Sequence, residues 1–309
     1  MKGVLDVYLC RRLAGRLTQD EHGLTTFVYD AGWLAAPDAV PLSHSMPLRS
    51  EVFGRNECGA FFAGVLPESG KRSLIARNLG VSANNDYALL ERIGGDCAGA
   101  ITFIESGKPL PPEKGEYRLV RDAELEKFLL GLPVRPLMAG EAGVRLSLAG
   151  VQDKLAVRIM DGKVYLPLDG SPSSHILKPA IKEYPDVVQN EAFCMRLARA
   201  VGLNVANVEV GRAGEVDYLC VERYDRSVGP AGLLREYQED FCQALGCPPS
   251  KRYQSDGGPS PRELVEVLRL HSARADEDIA TFVAALAFQW VIGGTDAHAK
   301  NHSLLHGSG

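Results

Sequence analysis

Gly293-Gly294-Thr295-Asp296-Ala297-His298-Ala299-Lys300-Asn301 is the stretch whose reading decides the fold. It follows an apolar helical run, and its informative feature is the interval from Asp296 to Asn301. Transfer of a phosphoryl group to a hydroxyl needs a carboxylate that accepts the attacking group's proton. A few residues on, it needs a side-chain amide oxygen that holds a magnesium ion. Catalytic loops of that chemistry set the Asp and the Asn at this spacing. Lys300, between them, would neutralise a transferring phosphoryl group. The same interval also suits a polar helix-to-loop junction, so its meaning depends on what else the chain carries.

Upstream, Arg145-Leu-Ser-Leu-Ala-Gly-Val-Gln-Asp-Lys154 runs into an apolar strand, 155–160. Small residues at Ala149 and Gly150 let backbone amides approach an anion closely, although an isolated Ala-Gly pair also suits a hairpin turn. Ser147 stands at the edge of this loop and carries a hydroxyl that can be phosphorylated. After a hairpin turned at Asp161-Gly162, residues 174–179 read as a strand delivering Lys178. A lysine there either snorkels to solvent or contacts nucleotide phosphates, as in a kinase-type fold. The helix expected over 187–201 carries Glu191, an ion-pair partner for Lys178. Strands at 205–210 and 216–221 end in Glu222-Arg223-Tyr224-Asp225. Helices then follow over 239–245, 262–271 and 277–292. The last has Ile279, Phe282, Val283, Leu286, Phe288, Val291 and Ile292 as its buried side.

Residues 3–30 alternate apolar and polar side chains, the pattern of a small antiparallel sheet. The prolines in 41–48 exclude a helix interior. Short helices are expected over 59–66, 71–79 and 86–93, with a strand over 100–104. Gly94-Gly95-Asp96-Cys97-Ala98-Gly99 leads into that strand, whereas a phosphate-cradling loop leads into a helix, so it reads as a tight turn. Residues 106–116 mix Pro, Gly and charge without periodicity and mark a linker. A helix is expected over 122–130.

The 309 residues suffice for two domains, and 45% hydrophobic with 24% charged residues is ordinary globular composition. A net charge of −5 gives no footprint for direct nucleic-acid binding. No apolar run reaches a membrane span, and the acid in Met1-Lys-Gly-Val-Leu-Asp-Val7 breaks the stretch a signal peptide needs, so a cytoplasmic protein is expected. Seven cysteines without a Cys-x-x-Cys read as buried small hydrophobes rather than disulfides or metal ligands.

With these pieces in place, the chain resembles the HipA serine/threonine kinase toxins of bacterial toxin–antitoxin systems. The resemblance runs from Met1 to the last residues. It is carried in order by Ser-Leu-Ala-Gly-Val-Gln-Asp-Lys (147–154), His-Ile-Leu-Lys (175–178), Val-Glu-Arg-Tyr-Asp-Arg (221–226), Gln-Glu-Asp-Phe-Cys-Gln (238–243), Ser-Asp-Gly-Gly-Pro (255–259) and the opening stretch. It implies an α+β, bilobal protein-kinase-like fold. A β-containing accessory domain would occupy 1–106 and a kinase-like domain 117–309, with the ATP-binding lobe at 145–226 and a partial helical lobe at 234–309. Asp296 would be the catalytic base and Asn301 a magnesium ligand. His298, Ala299 and Lys300 would line the nucleotide. Ala149, Gly150, Val151, Gln152, Asp153 and Lys154 would form the phosphate-side loop, with Lys178 the phosphate lysine. Glu222, Arg223 and Tyr224 would form the hinge beside adenine. Ser147 matches the family's autophosphorylated serine, whose modification ejects its loop and switches the kinase off. ATP and Mg2+ are the implied cofactors. A HipB-like helix-turn-helix antitoxin is the implied partner, through which alone operator DNA would be met. The implied substrates include aminoacyl-tRNA synthetases.

One departure is that the family continues into a further helical portion and supplies a second metal-binding Asp shortly after the Asn. This chain stops at Leu304-Leu-His-Gly-Ser-Gly309, so a truncated, weakly active or inactive member is expected. Two other readings stand beside the kinase. In a zinc-dependent hydrolase, His298, His302 and His306 would line one helical face, although Gly293-Gly294 argues for a break and no Glu occupies the base position. The other is a non-catalytic fragment that still binds the antitoxin.

Overall fold

Alternation in the first residues builds an antiparallel sheet from β1 (Gly3–Leu9), β2 (Arg12–Gln19), β3 (Thr25–Tyr29) and β4 (Ile101–Glu105), in the order β3-β2-β1-β4. The structure, a computed structural model, describes residues 3–184, 186–230 and 232–307. Met1, Lys2, Pro185, Ala231, Ser308 and Gly309, and with them the outer ends of both expected domains, lie outside the described residues. The β1–β2 turn is Cys10-Arg11, both residues at positive φ without a glycine. Cys10 is exposed there, unlike the buried cysteine the composition implies, and all seven cysteines are free. Short helices α1 (Ala31–Leu34), α2 (Arg55–Gly64), α3 (Ser69–Leu79) and α4 (Asp86–Ile93) close one face of the sheet. Phe27, Phe53, Phe62 and Phe103 fill the space between.

The second sheet comprises β5 (Glu116–Leu119), β6 (Leu155–Met160), β7 (Lys163–Leu168), β8 (His175–Pro179), β9 (Val208–Ala213) and β10 (Val216–Glu222). Its order is β5-β7-β6-β8-β10-β9, antiparallel throughout. α5 (Asp122–Gly131) and α6 (Val187–Ala200) flank it. Val188 and Ala192 of α6 pack on Leu219. Although 106–116 is a surface connection, the two halves share one core that runs from Leu5 through Phe103 and Leu155 to Cys220 and Tyr237.

Two pairings escape the sequence reading. β11 (Arg226–Gly229) forms a hairpin with β12 (Gly232–Arg235). β13 (Tyr237–Asp240) pairs with β14 (Ser303–His306), so the segment expected to open a helix at 239 is first a strand. Helices follow: α7 (Phe241–Ala244), α8 (Pro261–His271) and α9 (Ala275–Val291). Ser260 and Glu263 close a capping box on α8. The expected apolar side of α9 is only partly buried. Ile279, Phe282 and Leu286, spaced i, i+3, i+7, face the core of this part with α8, whereas Val283 and Val291 lie on the outer side and are exposed with Trp290.

The glycine turn after α4 holds the halves together. Asp96 has no exposure and pairs with Arg223 (3.3 Å), Arg226 (2.9 Å) and Arg235 (3.0 Å), while accepting from Ser173 Oγ at 2.6 Å. Asp225 pairs with Arg223 at 2.7 Å and accepts from Gly99 N at 2.7 Å. Glycine is required here because two backbones touch: a Cβ on Gly170, at φ +84°, would lie 2.9 Å from Gly95 Cα. Burial alone would raise the Asp96 pKa, but the guanidiniums of Arg226, Arg223 and Arg235 overcome it and hold the value at about 2.

Candidate functional site

β8 is an interior strand, and Lys178, opposite Leu219 of β10, reaches the carboxylate of Glu191 on α6. The ion pair read from the sequence is present. The loop before β6 lies beside it. Ser147 is fully buried, its Oγ donating to the Val65 carbonyl at 2.8 Å and its amide to the Asp96 carbonyl at 3.0 Å. Gly150 has φ +98°, and a Cβ there would lie 2.7 Å from Lys154 Nζ, which donates to the Ala149 carbonyl at 2.5 Å. Lys154 therefore fills the inside of the loop, Val151 is exposed at its tip, and Gln152 is half-buried. Asp153 is held by Lys71 of α3 at 2.5 Å. Burial, and then the charge of Lys178, push the Lys154 ammonium down to about 8 against the smaller pull of Glu68, Glu191 and Asp153. Two lysines, Lys178 on β8 and Lys154 inside the loop, thus lie near enough for the charge of one to act on the other.

Gly293, at φ +73°, ends the last helix, and Ala299–Asn301 forms a single 3-10 turn. The Asp296 carboxylate is exposed. It accepts from Tyr253 Oη at 2.8 Å, with His298 Nε2 at 3.4 Å. Asn301 Nδ2 donates to the Asp296 carbonyl and stands 3.4 Å from its Oδ2. Asn301 is itself exposed, and its Nδ2 rather than its Oδ1 is the atom that closes the turn. His298 Nδ1 is buried without a hydrogen-bond partner among the described residues.

Three assignments change. Lys300 is buried beneath the turn, with Nζ 2.5 Å from Asp240 Oδ2 and 2.7 Å from the Gly64 carbonyl, so its charge is spent on a buried carboxylate rather than a phosphoryl group. Arg223 is likewise buried in the Asp96 and Asp225 pairs, and only its backbone remains available to a hinge. Of its neighbours, Glu222 accepts from Asn207 Nδ2 at 2.6 Å, and the exposed Tyr224 bonds Gln238. The hydrolase trio does not form either. Residues 303–306 are a strand, so His298, His302 and His306 share no helical face, and His306 turns to Glu239 at 3.1 Å.

Glu68, Arg252 and Tyr253 carry no signal that the sequence alone reveals. Arg252 binds Glu68 at 3.0 Å and lies over the Tyr253 ring at 4.8 Å. The charge of Glu68 acts on both Lys154 of the glycine loop and His298 of the turn before β14. No local spacing marks these residues, because each is defined by a partner on a distant segment.

The sequence profile of the HipA-like C-terminal domain matches residues 146–309, and that of the HipA N-terminal domain matches residues 5–104. The chain belongs to the HipA family. It is 46% identical to the Sinorhizobium fredii protein Y4mE over 311 residues, covering 98% of this chain and 73% of that protein. It is 34% identical to the serine/threonine-protein kinase toxin HipA of Shewanella oneidensis, covering 97% of this chain and 71% of the toxin. A solved complex of Shewanella oneidensis HipA, HipB and operator DNA contains a chain that superimposes with a TM-score of 0.82 at 31% identity, over 98% of this chain and 72% of that one. The α+β architecture is thus the HipA fold. Among the described residues of this HipA-family chain, no helix is long and apolar enough to cross a membrane.

Proposed function

We propose that this HipA-family chain is a serine/threonine protein kinase that transfers the ATP γ-phosphate to a protein hydroxyl. Asp296, exposed and oriented by Tyr253, accepts the proton of the attacking hydroxyl. Asn301 offers its Oδ1 to magnesium while its Nδ2 holds the turn closed. Magnesium, when bound, neutralises charge on the phosphate oxygens. Lys178, oriented by Glu191, and Lys154 contact the phosphates, and the backbone of 149–154 covers them. The backbone of Glu222–Tyr224 lies against adenine, and His298 and Ala299 line the nucleotide side of the turn. A HipB-like helix-turn-helix antitoxin binds the chain, and operator DNA is met through it, as befits a net charge of −5. An aminoacyl-tRNA synthetase is the substrate class we infer. The expected accessory unit (1–106) and kinase-like unit (117–309) work as one body, since they share a core.

The observation that carries this reading is the Lys178–Glu191 pair with a second, buried lysine, Lys154, beside it. Titration calorimetry with Mg-ATP tests it. Lys178→Ala should weaken binding at least about tenfold, corresponding to about 1.4 kcal/mol. Unchanged affinity in a folded variant would remove Lys178 from the site. Asp296→Asn should retain binding while lowering phosphotransfer roughly 100-fold or more.

A further inference from the structure

Away from the catalytic turn, imidazoles converge on one buried carboxylate. Glu239, on β13, has a fully buried side chain. Its Oε2 accepts from Ser43 Oγ at 2.5 Å, and its Oε1 accepts from the His44 amide at 3.1 Å. The same Oε1 lies 2.6 Å from His44 Nδ1 and 3.1 Å from His306 Nε2. One ligand atom from each of His44, Glu239 and His306 falls within 4.8 Å of the others. His271, the last residue of α8, sets its ring edge-on to His44 with centroids 4.5 Å apart. Tyr237 stacks on His306 at 4.0 Å and fixes that ring.

A buried carboxylate needs hydrogen-bond donors, and two imidazole N–H groups would serve. This cluster goes further. Both ring nitrogens are aimed at a single oxygen, so their directions cross at one point. The carboxylate is already oriented by a serine and a backbone amide, the outer shell that metal-binding carboxylates use. Two imidazoles and a carboxylate with one open position form a zinc donor set. Tetrahedral bonds of about 2.0 Å place ligand atoms roughly 3.3 Å apart, so the nitrogen–oxygen separations of 2.6 and 3.1 Å open slightly and the two nitrogens, within 4.8 Å of each other, settle to the same spacing. Both His44 and His306 keep some solvent exposure, which provides an entry path.

We propose that His44, Glu239 and His306 form a site for a divalent transition metal of the zinc class, with His271 or water as the fourth ligand. The ion takes the place of the two N–H protons now directed at Oε1, and each ring then carries its proton on the far nitrogen. The site spans the molecule: His44 belongs to the N-terminal half, while His306 ends β14, the strand that leaves the Ala299–Asn301 turn. A bound ion therefore clamps the exit of that turn to the N-terminal half. The assignment stands apart from the kinase reading, because none of its ligands belongs to the nucleotide site.

The test is calorimetric titration of the full chain with zinc chloride after dialysis against a chelator, together with X-ray absorption of the zinc-loaded wild type. Expected are one ion per chain with Kd of about 10 µM or tighter, and a first shell of two or three imidazoles plus a carboxylate oxygen at about 2.0 Å. His44→Ala and His306→Ala should each weaken binding at least about 100-fold, because losing even an outer-shell partner costs 10- to 100-fold. His298→Ala and His302→Ala should leave it unchanged. Weaker binding by the wild type, a sulfur-dominated first shell, or binding that survives His44→Ala would overturn the assignment. The absorption result needs no variant, so a mutant that fails to fold does not rescue the proposal.

Discussion

Lys154 is a lysine placed where its own charge is disfavoured. Buried inside the glycine loop and facing Lys178, it titrates near 8 instead of its ordinary 10.5. Because the folded value is depressed, the charged form burdens the fold below about pH 8, and the burden vanishes as pH rises through 8 toward 10.5. A bound polyphosphate would reverse the shift by favouring the ammonium. Mg-ATP binding at pH 8.5 is therefore expected to take up a proton, and at pH 6.5 to take up almost none. Calorimetry in two buffers of different ionisation enthalpy measures this directly. Binding at pH 8.5 with no proton uptake would exclude Lys154 from the anion site. Lys300 shows the opposite arrangement at the same scale: its spacing in the chain matches a phosphate-facing lysine, yet its partner is a carboxylate beneath the turn.

Among the elements, the segment from Ser147 to Lys154 is the one for which a switch is proposed. The Ser147 hydroxyl has no exposure and is tied to the Val65 carbonyl, so no kinase reaches it while the segment is seated. A phosphate brings about −1.5 to −2 charges and needs water or cations around it. Once modified, the segment cannot return. Exposed to an active HipA-family kinase, the chain should gain phosphate at Ser147, lose Mg-ATP affinity, and exchange amide hydrogens faster across 147–154. If peptides covering 145–158 stay unmodified, or are modified without faster exchange, the switch assignment fails. Elements of this kind divide by how local their cause is. β6 at Leu155–Met160 and α4 at Asp86–Ile93 are legible because their apolar runs, caps and turns lie in adjacent residues. β13 is not. Tyr-Gln-Glu-Asp is polar, opens what reads as a helix, and becomes a strand only because β14 pairs with it from beyond residue 300. The site divides in the same way. The Asp296 to Asn301 interval and the Lys178–Glu191 pair are local or follow from adjacent elements, whereas Glu68, Arg252 and Tyr253 gain their meaning only when distant segments meet.

At the scale of the whole molecule, the turn at Asp96 joins both halves through arginines. Its carboxyl is held at about 2, below the unfolded value near 4, so the stabilisation is complete above about pH 4 and is lost as pH falls toward 2. Asp96→Asn leaves buried guanidiniums uncompensated and should cost about 3–5 kcal/mol of stability at neutral pH. It should also flatten the acid limb of a urea-denaturation series. A loss below about 1 kcal/mol, within the range of an exposed pair, would show that the cluster is not a keystone. The same cluster bears on inheritance. The acid lies in the half matched by the HipA N-terminal profile and the arginines in the half matched by the C-terminal one. A crossover between related genes within the codons for 106–115 would break no helix or strand. It would nevertheless yield a folded product only when both parents had kept compatible charges at these distant positions. Recombination is thus screened by electrostatics far from the joint, and the halves are constrained to descend together.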